Sequence, residues 1–141
     1  MKYILACAIV LMAIVGACHK PTEGYLIVEN AGYEPDTMVI RKNPVWELDS
    51  FRIMDNSPWV TTGLQGYEGT EPIYFSVESV TSPLGEEAAA VFMREVFMQG
   101  ASLMYPLKNN AQPGLYTVSI RLTNAGYSQV VENALTFHVI E

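Results

Sequence analysis

Histidine and cysteine are nearly missing from this chain, with two of each among 141 residues. A zinc site or a nucleophilic triad needs several convergent groups. His19 and His138 stand far apart in sequence, so neither chemistry has its parts. Positive charge is scarce too, with eight Lys and Arg against fifteen Asp and Glu, a net charge of −7. A field of that sign repels phosphate backbones, and there is no basic patch, so nucleic acid is excluded as a partner. Gly63, Gly66 and Gly69 are not followed by the lysine and helix start of a phosphate-cradling loop. Glu86, Glu87 and Glu95 are the nearest thing to paired catalytic acids, but carboxylates also suit a helix start electrostatically. The chain is therefore expected to be no enzyme, with no cofactor and no metal.

Long apolar runs are equally few. The one at the start, residues 3–17, is uncharged and 15 residues long. That is short of the roughly 20 residues needed to span a hydrocarbon core as a helix. It has the size of a signal-peptide apolar region, preceded by Lys2 and ending in small residues as a cleavage site requires. Its end, Val15-Gly16-Ala17-Cys18, resembles the lipobox of bacterial lipoproteins. The resemblance implies that residues 1–17 are removed and that Cys18 becomes the lipidated first residue, anchoring the chain to a membrane. Cysteine counting agrees, because Cys7 falls in the discarded segment and Cys18 is left unpaired. The fold must then be held by packing alone. Acyl chains anchor because each buried methylene contributes about 0.8 kcal/mol. The localisation implied is the cell envelope, on the outer membrane, with the surface and periplasmic faces both open. Residues 19–22, His-Lys-Pro-Thr, lack the acidic run that resembles a surface-export signal.

Residues 18–24 read as a lipidated tether, and residues 25–141 as one domain, since too few remain for two. The body is expected to be mainly β. Strands are predicted at residues 25–28, 37–41, 59–62 and 73–80, with a less regular one at 46–54 broken near Asp49-Ser50. The clearest is 116–124: Tyr116, Val118, Ile120 and Leu122 point inward while Thr117, Ser119 and Arg121 point to solvent. Asn124-Ala125-Gly126 turns the chain, and residues 130–140 return it with Leu135, Phe137 and Val139 inside and Thr136 and His138 outside. Residues 86–99 are preferred as a short helix: Glu86 and Glu87 suit its first turn, the alanines favour it, and Gly100 suits its end. As a strand the segment would be apolar on both faces. Asn-Ala-Gly-Tyr occurs twice, at 30–33 and 124–127, as shared turn chemistry.

From residue 73 to the end, the layout resembles immunoglobulin-like and cadherin-like antiparallel β-sandwiches in Bacteroidetes envelope lipoproteins. The matching pieces are the 73–80 strand, a variable crossover, Gly100-Ala101-Ser102-Leu103-Met104, and Pro113-Gly114-Leu115-Tyr116-Thr117-Val118. The last resembles the entry to a penultimate strand, where a tyrosine packs at a sandwich corner. The segment from Gly63 to Ile73 is also similar to small lipoproteins of that phylum. Cadherin calcium sites do not carry over, because Asp36, Asp49 and Asp55 are isolated in sequence and a hard cation wants six or more oxygens.

Aromatic residues offer the functional lead. Trp59, Tyr67 and Trp46 lie in or near expected loops, with Asp55, Asn56, Gln65 and Glu68 close by. A flat ring packs on the apolar face of a sugar while amides and carboxylates bond its hydroxyls. The competing reading places both tryptophans in the sandwich core, where a buried Trp is common. Asp36-Thr37-Met38 resembles a short O-glycosylation sequon of Bacteroidetes exported proteins, which makes Thr37 a glycan-site candidate. The functional expectation is a carbohydrate-binding or accessory module, and the alternative is a structural or adhesive module whose partner is another envelope protein.

Overall fold

The computed structural model describes residues 1–15 and 24–141. Gly16, Ala17 and Cys18, with most of the expected tether, lie outside the described residues. Helix α1, Lys2–Val15, covers the apolar start. No described helix is long and apolar enough to cross a membrane.

The rest is mainly β. Strands β1 (Leu26–Ile27), β2 (Thr37–Arg41), β3 (Trp59–Gly63), β4 (Glu68–Gly69), β5 (Tyr74–Thr81), β6 (Phe97–Gln99), β7 (Ser102–Tyr105), β8 (Gly114–Asn124) and β9 (Tyr127–Ile140) are joined by helices α2 (Trp46–Asp55) and α3 (Glu86–Glu95). One sheet has the order β2-β9-β8-β5 and another β3-β7-β6, while β1 and β4 form a two-stranded ribbon. The pairing is antiparallel with one exception: β2 runs parallel to β9, Thr37 opposite Thr136. The all-antiparallel expectation is corrected there, because β2 enters from a distant crossover rather than a hairpin.

Alternation on β8 places Tyr116, Val118, Ile120 and Leu122 inside with no exposed surface. At about 25 cal/mol per Å² of apolar area, such a face is a main source of stability. Ser119 departs from the expectation by being buried. The extra residues of a bulge lie on β9, where 132–134 stand opposite Ser119 between the Val118–Leu135 and Ile120–Val131 pairs, and the Ser119 Oγ accepts the Asn133 N–H at 2.9 Å. Arg121 does face outward, in a partly exposed bridge to Glu78. The β8–β9 turn is tight, with Asn124 opposite Tyr127 and Gly126 at φ +95°, as a glycine tolerates.

Helix α3 ends at Glu95, and Phe97–Gln99 is strand, so the expected 86–99 helix is shorter by its last turn. Its buried face inserts Phe92 between Tyr105 of β7 and Tyr116 of β8, with ring centroids 4.1 and 4.4 Å away and Phe137 of β9 at 5.3 Å. One core therefore joins both larger sheets and α3. The Tyr116 hydroxyl donates to the Gln112 carbonyl at 2.7 Å, which fixes the chain entering β8.

The strand expected at 46–54 is instead helix α2, and its non-helical residue, Asp49, falls where the break was placed. No side-chain period called for a helix there, because the one residue that α2 buries, Asp49, is charged.

Candidate functional site

Sequence order within α2 explains how it is held. Val45 precedes the helix in an extended conformation, as its neighbour Pro44 permits, and Asp49 turns back toward it. The Asp49 carboxylate accepts the Val45 N–H at 3.0 Å and forms a two-pronged ion pair with Arg41 of β2, whose Nε donates at 2.7 Å. Asp49 is 1% exposed. A carboxylate at that depth stands only because every bond it needs is supplied. The Arg41 guanidinium holds the Asp49 carboxyl below its usual range, ahead of the opposing effect of burial and the smaller help of the Val45 N–H and Arg52. The guanidinium of Arg52 lies 4.4 Å from the Trp59 ring centre and that of Arg41 5.4 Å. Two cations thus rest on one indole, each contact contributing about 0.5–2 kcal/mol by the ring quadrupole.

Trp59 is therefore core. It is 3% exposed, and its role as an exposed platform is withdrawn. In β3 alternation turns it inward while Val60 faces out. Its Nε1–H has no hydrogen-bond partner among the described residues. Tyr67 is half-buried, edge-on to Phe75 at 5.2 Å, and packs against the core. The glycines around it do not form an open loop. A Cβ on Gly66 would stand 2.1 Å from the Asn30 carbonyl oxygen, so that turn is pressed against the chain at 30–31.

Trp46 behaves in the opposite way from the core reading. It is 58% exposed, with Leu48 at 69%, Phe51 at 82% and Met54 at 66%. These four make an apolar ridge on α2 while the helix spends its inner side on Asp49. Isolated exposed apolar residues are ordinary, whereas four on one ten-residue helix make it a candidate interaction surface. Beside the ridge is a cleft of about 530 Å³, lined by Lys42, Asn43, Pro44, Ile53 and Asn56 on one side and residues 107–109 on the other. The far wall is fixed internally: Asn109 Nδ2 donates to the Pro106 carbonyl, Glu95 accepts the Asn110 N–H, and Lys42 Nζ donates to the Ala111 carbonyl.

The remaining sequence candidates fall elsewhere. Thr37 is exposed at the start of β2, its hydroxyl 3.2 Å from Asp36. His138 is exposed on β9. Cys18 lies outside the described residues. Among the described residues, no group of three or more His, Cys, Asp or Glu comes together. The ridge was missed in the sequence because its pattern fits neither strand nor inward-facing helix. The available signal was Pro44 followed by Asp49, five residues on, which is the buried one of the three charged residues between Trp46 and Met54. No protein-family model, curated protein or solved structure matches this chain.

Proposed function

We propose that this protein is a lipid-anchored, non-enzymatic module of the cell envelope, an immunoglobulin-like sandwich that docks another envelope protein through α2. The fold reading is supported by strand order. With β3, β7 and β6 as strands B, E and D, and β5, β8 and β9 as C, F and G, the two sheets follow the immunoglobulin plan, β2 being the first strand on the G side. Tyr116, bonded back to Gln112, fits the tyrosine corner of that plan. Removal of residues 1–17 and acylation of Cys18 supply the anchor. Cys18→Ala is expected to leave precursor or soluble product, and an unmodified Cys18 in the mature wild-type protein, seen by mass spectrometry, would remove the anchor from this reading.

Orientation favours a protein partner over the lipid surface itself. The chain enters the domain at Tyr25, whose carbonyl accepts from Asn124 at the β8–β9 turn. Helix α2 lies at the opposite end, where the Lys42 N–H bonds Ile140. Between them runs β9, 14 residues long, or about 45 Å at strand rise. A tether attached at the turn end leaves α2 pointing away from the bilayer. The observation that carries the reading is the exposed ridge of Trp46, Leu48, Phe51 and Met54 on a helix clamped by Arg41 and Asp49. Such a surface loses little freedom when it binds. A photo-crosslinking residue in place of Phe51 is expected to give one discrete adduct in the intact envelope; none on repeated trials would defeat the docking role.

A glycan-binding reading is favoured by one observation, the exposed indole of Trp46. A polysaccharide retained by the wild type on a glycan array and lost with Trp46→Ala would put it first.

A further inference from the structure

We propose that the cleft between α2 and residues 107–109 is a carboxylate-binding subsite, taking an acidic side chain of an extended polypeptide segment whose apolar side chains two residues away, on the same face, lie on the α2 ridge. It rests on the docking reading above and deepens it by naming the chemistry of the partner.

Charge distribution is the first support. From Cys18 on, the chain carries seven Lys and Arg against fifteen Asp and Glu. Four of those cations, Arg41, Lys42, Arg52 and Lys108, belong to the α2 end. Two are committed: Arg41 to Asp49, and Arg52 to the face of Trp59. The other two line the cleft, whose described lining includes no carboxylate. Lys42 uses one donor on the Ala111 carbonyl, and an ammonium has three. Lys108 is exposed and makes no ion pair among the described residues. Glu47 and Asp55 are exposed on α2 and Glu141 ends the chain nearby, but none is part of the lining. An anion is thus met there by two ammonium groups in a chain whose net charge is negative.

The lining supplies the second support. Pro44, Ile53 and Leu107 add apolar groups to the lining that holds its lysines. An ion pair there is less screened than one in open water. Its volume of about 530 Å³ accommodates a side chain or two. No aromatic ring is among its described lining residues, so it offers no flat face to a sugar. Aliphatic groups in the cleft beside an apolar ridge instead match a peptide that carries an acidic and an apolar side chain two residues apart, on one face.

The probe is a labelled peptide with a glutamate two residues from a leucine, so that both share one face when extended, with its glutamine counterpart as control, titrated by fluorescence anisotropy into the full chain in neutral detergent. The glutamate peptide is expected to bind about tenfold tighter, the weight of one charge-assisted contact. That advantage should shrink with added salt. Lys108→Glu should abolish it without moving the melting temperature, and Lys108→Arg should restore it. Equal binding of both peptides, or an advantage unchanged in Lys108→Glu, overturns the subsite. So does saturable binding of a glucuronate oligosaccharide in place of the peptide. The crosslink through position 51 separates the two levels. If it forms equally in wild type and Lys108→Glu, the docking surface stands and the subsite falls; if it never forms, both fall.

Discussion

Strand β8 and helix α2 use apolar residues in opposite ways. On β8, Tyr116, Val118, Ile120 and Leu122 are wholly buried and the charged Arg121 faces out. On α2, Leu48, Phe51 and Met54 face out and the charged Asp49 is buried. Both segments carry several large apolar side chains, and the partner available to each inward face differs. Against the inward face of β8 lies Phe92 of α3, with Phe137 beside Tyr116 on the neighbouring strand β9. Beneath α2 lie Arg41 and the cation-covered ring of Trp59. A helix landing there is held best by a carboxylate, and its apolar residues are left for another molecule. The domain therefore has a closed end, built on burial, and an open end, built on charge.

The sharpest way to break that contrast is to attack the place where the two ends meet. Trp59 belongs to the core but carries the guanidinium groups that seat α2. Trp59→Ala is expected to cost about 3–5 kcal/mol, measured by urea denaturation, as loss of a packed aromatic does. A cost below about 1 kcal/mol would mean that the ring is not packed, and the two-ended description would fail.

That residue also shows what the sequence could and could not disclose. Strand β8 was legible because its alternation runs over seven residues and each inward position is large and apolar. The start of α3 was legible from Glu86, Glu87 and the alanines. Trp59 was not, because a Pro before it and glycines after it suit an edge strand and a surface loop alike. Ser119 was missed since a bulge shifts register without leaving a mark in composition. The ridge on α2 was hidden for a different reason. Its burial is decided by Arg41, eight residues upstream on another element, and an ion pair across elements has no local period.

Next in size comes the clamp itself. Asp49→Asn keeps the shape and removes the charge that pairs Arg41, leaving a guanidinium poorly matched beside the core. Breaking one side of a buried pair costs about 3 kcal/mol or more, and crosslinking through position 51 should weaken along with stability. The pH response has a defined sign. The Asp49 carboxyl is held below its ordinary value when folded, so the unfolded chain binds its proton first as pH falls. Its contribution is complete above the unfolded value of about 3.9 and is lost through the acid range below it. Melting temperature against pH should therefore fall more steeply below about pH 4 in the wild type than in Asp49→Asn. Parallel curves would show that Asp49 is no clamp.

The smallest effect on stability belongs to the ridge, and it isolates function from folding. Phe51 is 82% exposed, so Phe51→Ser removes little buried surface and no hydrogen bond. Its stability change is expected within about 0.5 kcal/mol, as for other surface substitutions. Serine lowers helix propensity by only a few tenths of a kcal/mol, within the same margin. Docking should respond quite differently, since large aromatic residues dominate interface energetics and their truncation costs about 2 kcal/mol or more. To measure this, the crosslinking group is moved to position 54, so that Phe51→Ser can be compared with wild type through the same probe. A lost adduct with an unchanged melt is the signature of a surface held ready for a partner. A melt lowered by several degrees would mean instead that Phe51 packs against its own domain in solution. In that case α2 would be a second covered face, and the contrast with β8 would vanish.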